Sequence, residues 1–282
     1  VRFCLQVKPT ETIKDALDRH VVYCQRLLFH KKYNTEALKK ALLAVGLETG
    51  DTVMVHASWR QFYNYQGTVM DVISVLQQIV GPQGTILMPS YGASREFFDV
   101  DNTPSHAGVL SEEFRKQPGV LRSKCTHFSV AGWGKNTSAL LQDAELSHYG
   151  FDEHSPYYKV TQMEKAKLLF LGLGKEPSKV SAVHCAAYAL RNKDNNIKRA
   201  LSQPYKSVLI HDSTHHVKNM IIRMPGHENY SQVIQQIVRT LQSKQYVRLS
   251  NLDIVQLNAF EMFRQACHFI EMKKYFYKNM EK

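Results

Sequence analysis

Apolar and polar positions along the chain fall into two alternating periods. Ile13, Ala16, Leu17, Val21, Tyr23, Leu27 and Leu28 recur loosely every three to four residues, which predicts a helical extension up to about Lys32. Asn34 or Thr35 then caps a second helix, Glu36 to Val45, which Gly46 stops, and Gly50-Asp51 turns the chain into a buried strand, Thr52 to His56. Helical spacing returns from Thr68 to Val80 (Val69, Ile73, Val75, Leu76, Ile79). Gly81-Pro82-Gln83-Gly84 breaks it before a second apolar strand, Thr85 to Met88. A crossover of this strand-helix-strand kind sets the two strands parallel. It leaves their carboxyl ends, His56 to Arg60 and Pro89 to Gly92, on one edge of the sheet, where open α/β sheets bind ligands.

Further along, Leu110 to Lys116 reads as helix, Phe128 to Ala131 as extended, and Leu168 to Leu173 as another buried strand that runs out through Gly172-Leu173-Gly174. A short helix, Ser181 to Leu190, follows. Beyond Pro204 the pattern predicts strands at Ser207 to Ile210 and His216 to Met224, a helix from Ser231 to Leu241, a strand from Tyr246 to Leu249 and a final helix from Leu252 to Phe276. The expected fold is α/β: a central, largely parallel sheet with flanking helices, an N-terminal helical extension and a smaller C-terminal α+β addition. The corresponding units are residues 1–32, a core at 33–200, and a lobe at 201–282 that completes the acceptor site. No internal repeat or low-complexity segment is evident.

The composition, 44% hydrophobic and 22% charged over 282 residues, suits a large buried core. No apolar run approaches the roughly 20 residues of a membrane span, and Val1-Arg2-Phe3-Cys4 lacks the pattern of an export signal, so a cytoplasmic location is expected. A start without Met leaves open a longer chain. The five cysteines are odd in number and lack C-x-x-C spacing, which points to reduced thiols. The 13 histidines show no ligand-spaced pattern, so no metal is expected. The net charge of +11 fits either a solvated basic face or attraction to phosphate-bearing small molecules or an anionic surface. Nucleic acid is not an expected partner, because no helix-turn-helix, RNA-sheet or finger signature accompanies the charge.

An ordered set of short motifs narrows the reading. Tyr33-Asn34-Thr35-Glu36-Ala37-Leu38, Gly46 to Asp51, Val55-His56-Ala57-Ser58, Gly81 to Pro89, Phe98-Asp99, Thr103-Pro104-Ser105 and His154-Ser155-Pro156-Tyr157 together resemble the aminoglycoside 3-N-acetyltransferase family of acyl-coenzyme A-dependent enzymes. The resemblance is good over residues 33 to 190 and looser beyond. Acyl transfer from a thioester to an amine needs a base for the amine proton, donors for the developing oxyanion and a cradle for the phosphates. His184, at the first turn of the helix after Gly174, stands where the family carries a histidine and is the candidate base, with a reference pKa of about 6.5.

The resemblance also implies a coenzyme A site lined by His56, Ala57, Ser58, Arg122, Ser123, Phe128, Ser129 and Val130. Asp99 is the second catalytic candidate, orienting the base or facing the amine. Tyr91, Asp99, Asp152 and Glu153 are candidates for the acceptor side. Thr103-Pro104-Ser105 reads as a turn, with Ser105 the N-cap of a helix from about His106. Direct attack by the amine is favoured over an acyl-cysteine. Cys185, next to His184, points about 100° away on a helix, which leaves Cys125 as the thiol alternative.

Two departures bear on the acceptor. Cys125-Thr126 stands where the family commonly has His-Pro, and Ala187 stands where it commonly has a Glu one helical turn after the histidine. A chain at +11 also repels polycationic aminoglycosides at long range. The expected acceptor is therefore a small amino sugar with an anionic handle, such as a nucleotide-linked or carrier-linked sugar for a surface polysaccharide. An aminoglycoside-antibiotic 3-N-acetyltransferase is the first alternative. A catalytically inactive module binding coenzyme A or an anionic surface is the second. A homo-oligomer is compatible with the chain.

Overall fold

The computed structural model describes residues 13–280; Cys4 and the opening Val1-Arg2-Phe3 lie outside the described residues. In chain order the elements are α1 (Ile13–Leu28), α2 (Thr35–Ala44), β1 (Thr52–Ala57), α3 (Val69–Val80), β2 (Thr85–Pro89), β3 (Phe97–Asp99), α4 (Val109–Arg115), β4 (Leu121–Arg122) and β5 (Val130–Gly134). They continue with α5 (Thr137–Leu141), α6 (Pro156–Thr161), β6 (Lys167–Leu171), α7 (Ala182–Leu190), α8 (Asn195–Ala200), β7 (Gln203–His211), β8 (Thr214–Ile222), α9 (Ser231–Thr240), β9 (Gln245–Leu249), β10 (Leu252–Asn258) and α10 (Ala259–Glu271). Local chemistry sets the boundaries. Asn34 accepts from the Ala37 N–H at 2.9 Å and opens α2, while Thr68 and Asp71 form a reciprocal capping box at α3.

The central sheet has seven strands in the order β4-β5-β2-β1-β6-β10-β9. Its middle is parallel, β2 with β1 and β1 with β6, and its flanks are antiparallel. Successive strand residues point to opposite faces, and both faces here are apolar. Met54, Leu87, Leu168, Phe170, Val255 and Leu257 pack against α6, α7, α9 and α10. Val53, Val55, Ile86, Met88, Leu169, Leu171 and Ile254 pack against α2, α3 and α4. A second sheet, β3-β7-β8, carries the long hairpin beyond Pro204.

The C-terminal segment differs from the expected single helix over 252–276. Leu252 to Asn258 is a strand that pairs antiparallel with both β6 and β9. A strand buried on both faces reads as a continuous apolar run, which periodicity cannot separate from a buried helix. The helix starts only at Ala259, where Asn258 accepts from the Glu261 N–H at 2.8 Å, and it stops at Glu271. Residues 245–258 thus complete the central sheet, so the expected boundary at residue 200 runs through one sheet. The tail beyond α10 carries the buried Tyr275, Phe276 and Tyr277 back across the molecule.

Two smaller corrections concern the loops near the strand ends. α4 starts at Val109 after Gly108 (φ +124°), so Ser105 is not its N-cap; its Oγ accepts from the Ala107 N–H at 3.3 Å. The strand expected from Phe128 starts at Val130, because Phe128 adopts a left-handed backbone (φ 61°).

Candidate functional site

Parallel β1 and β2 end side by side, and the chain leaves them through Ser58 to Arg60 and Tyr91. There lies a cleft of 690 Å³, open to solvent and walled by His56, Ala57, Ser58, Arg60, Tyr91, Phe128, Phe151, Tyr157, Leu173, Lys179, His184 and Arg223, among others. A second hollow, of 840 Å³ beside Lys273, Lys274 and Lys278, has no histidine among its described lining residues.

His184 sits in the first turn of α7 with its ring between Phe151, at 4.8 Å, and Tyr277, stacked at 5.6 Å. Its Nδ1 lies 2.7 Å from the Tyr277 hydroxyl, which leaves Nε2 for chemistry. Burial, then the Arg223 guanidinium and His127, pull the imidazole down to about 3, so it is neutral at pH 7. At the end of β1, His56 stacks on Phe170 at 5.1 Å; its buried Nε2 has no hydrogen-bond partner, and burial lowers it to about 4.

Of the residues singled out from sequence, the cavity wall gathers His56, Ala57, Ser58, Tyr91, Phe128 and His184. The others are not in it. Asp99 closes its own turn, accepting from the backbone of Asp101 at 3.0 Å and Asn102 at 2.9 Å. Asp152 is a buried loop anchor that accepts from Ser147 Oγ at 2.8 Å and from the N–H groups of His148, Tyr149 and His154. Glu153 is exposed outside the wall. Ser123 and Ser129 face one another at 3.2 Å, and Val130 is core.

Arg122 stacks over Phe98 at 4.5 Å, donates to the Ser90 carbonyl, and reaches the Val100 and Thr103 carbonyls at 3.0 and 2.6 Å. Its guanidinium ties the segment after β2 to the turn after β3. Arg122→Ala should therefore cost about 2–4 kcal/mol of stability, since it orphans part-buried carbonyls, and leave the KM for acetyl-coenzyme A unchanged. Urea unfolding beside initial-rate kinetics checks both halves.

The thiol route has no support in the geometry. Cys125 Sγ donates to the His127 carbonyl at 3.0 Å, and burial pushes the thiol up to about 12, so almost no thiolate exists at neutral pH. Cys24, Cys125, Cys185 and Cys267 are all free. Among the described residues, Asp101, His211 and Asp212 bring possible metal-ligating atoms within 4.8 Å of one another, and none of the three lines the cavity. No helix among the described residues is long and apolar enough to cross a membrane.

Sequence reasoning missed Phe151, Lys179, Arg223 and Tyr277. Arg223, just past β8, lies 4.7 Å over the Tyr277 ring and donates to Asn229 Oδ1. No local spacing signals these contacts, because they join segments far apart in the chain. The cavity residues include Arg60, Lys179 and Arg223, and among the described residues no Asp or Glu lines the wall.

A family model described as aminoglycoside 3-N-acetyltransferase matches residues 54–271. An aminoglycoside N(3')-acetyltransferase-like protein of SPbeta prophage origin in Bacillus subtilis is 29% identical over 180 residues, 55% of this chain and 65% of that one. Aminoglycoside N(3)-acetyltransferase IV from Salmonella is 30% identical over 140 residues, 48% of this chain and 52% of that one. The matched stretch thus spans between about half and just under two-thirds of these two curated relatives. Among solved structures, the AAC-IIIb binary complex with CoASH superposes with a TM-score of 0.72 at 19% identity, covering 86% of this chain and 98% of that one. A variant of aminoglycoside acetyltransferase AAC(3)-IVa in complex with a gentamicin gives 0.71 at 20% identity, covering 86% and 89%. At these identities the structural likeness shows the fold.

Proposed function

Because this chain belongs to the aminoglycoside 3-N-acetyltransferase family, we propose that it transfers an acetyl group from acetyl-coenzyme A to an amine of an amino sugar, with His184 as the base. The observation that carries this reading is the neutral imidazole of His184 in the wall of the cavity at the ends of β1 and β2. The residues present fit the acyl donor. Arg60 and Lys179 suit its phosphates, Phe128, Leu173 and Val180 offer an apolar run for a pantetheine arm, and the orphaned His56 Nε2 would gain a partner from a ligand oxygen. When bound, the donor supplies an acyl carbon activated by sulfur. Nε2 of His184 takes the amine proton as the N–C bond forms and returns it to the departing sulfur as the C–S bond breaks. The products are an acetamide and the free thiol.

For the acceptor, an aminoglycoside has better support than a surface-polysaccharide sugar, since solved relatives are described in complex with a gentamicin and with sisomicin. One observation favours a less cationic amino sugar: among the described residues the wall contains Arg60, Lys179 and Arg223 and no carboxylate to meet several ammonium groups. Thiol release from acetyl-coenzyme A with gentamicin, sisomicin, glucosamine and nucleotide-linked amino sugars separates the two. Turnover with the antibiotics is the expected result under the first reading, and turnover confined to the nucleotide-linked sugars under the second. Tight coenzyme A binding with no turnover on any amine would overturn the transferase.

A further inference from the structure

An imidazole that accepts a proton at Nε2 must carry its own hydrogen on Nδ1, and whatever faces Nδ1 decides whether it does. One helical turn beyond His184, on the same face of α7, stands Ala187, fully buried and without a polar side-chain atom. The Asp152 carboxylate is taken up by its loop, as is that of Asp99. What meets Nδ1 is the Tyr277 hydroxyl, at 2.7 Å. We propose that Tyr277 is the positioning residue of the base, a phenol in the place of an orienting carboxylate.

A phenol donates one hydrogen bond and accepts two. The Arg223 guanidinium lies 4.7 Å over the Tyr277 ring and can only donate. The Tyr277 hydrogen points either away from His184 or to it. Directed away, it leaves Tyr277 accepting from Nδ1–H, and Nε2 is bare and basic. Directed to His184, it puts the ring hydrogen on Nε2 and blocks the base. The productive state is the first, in which the phenol oxygen accepts from Nδ1–H.

The proposal rests on the reading of His184 as the base, and its test separates the two. Tyr277→Phe keeps the ring that stacks on His184 and removes only the hydroxyl. In the wild-type protein, 15N spectra of the histidine ring nitrogens should show His184 as the Nδ1–H tautomer, and in Y277F that signature should be lost. With the best acceptor from the panel, kcat should fall about tenfold or more, with the KM for acetyl-coenzyme A within about twofold of wild type. Where Y277F does not fold, the wild-type tautomer decides alone: Nδ1–H is the expected state, and Nε2–H would overturn the proposal. An unchanged tautomer and an unchanged kcat in folded Y277F would overturn it as well. Loss of all transfer by the wild-type protein would instead overturn the functional reading, while the tautomer measurement still decides the role of Tyr277.

Discussion

Replacing His184 with alanine is expected to lower turnover by about 10²- to 10⁴-fold while leaving coenzyme A binding within about threefold of wild type. The expectation follows from where the ring's two nitrogens sit. Nδ1 is held by Tyr277, and the ring is clamped between Phe151 and Tyr277, so Nε2 is presented to the cavity wall in a fixed pose. None of the side chains suited to the phosphates depends on it, since Arg60 and Lys179 come from other segments of the wall. Equilibrium binding of coenzyme A together with steady-state thiol release checks both parts. A variant that retains turnover, or one that fails to bind coenzyme A, would show that the ring does something other than move a proton.

The second large effect concerns stability in mild acid. His56, His127 and His184 are half-buried and held down to about 4, 3 and 3, by desolvation first, with Arg95 adding to the effect at His127 and Arg223 at His184. The unfolded chain protonates each of them near pH 6.5. Their contribution is therefore fully present above about pH 6.5 and is lost as pH falls towards 4, at about 1.4 kcal/mol per pH unit for each histidine. Urea midpoints should drop steeply between pH 7 and pH 5. Substituting His127, whose buried Nδ1 has no hydrogen-bond partner, with glutamine should reduce the slope by about one proton. A flat profile over that range would mean that these rings take up protons without unfolding.

How much of this was legible in the sequence depends on the range over which each signal acts. The elements from α2 to β2 were readable because their caps and breakers, Asn34, Thr68 and Gly81-Pro82-Gln83-Gly84, act within a few residues of the structure they shape. The family was readable for a related reason: several of its short motifs flank β1 and β2, where backbone geometry constrains neighbouring residues together. β10 reads as helix in the sequence because both of its faces are buried.

The site residues divide along the same line. His184 and the His56-Ala57-Ser58 segment lie in the wall and were readable in their motifs. Arg122, Ser123 and Asp152 sit close to the wall in sequence, but their hydrogen bonds hold loops together. A motif does not distinguish a residue that touches a ligand from one that shapes the loop beside it. Tyr277 was out of reach altogether, since it faces His184 from 93 positions further along the chain, on a tail whose course is set by packing after α10.

The most direct measurement is the separation between the coenzyme A sulfur and His184 Nε2 in a crystal of the complex. It is expected to be about 3–4 Å, with Nδ1 still on the Tyr277 hydroxyl. A pantetheine arm seated elsewhere, for instance in the hollow beside Lys273 and Lys278, would contradict the account.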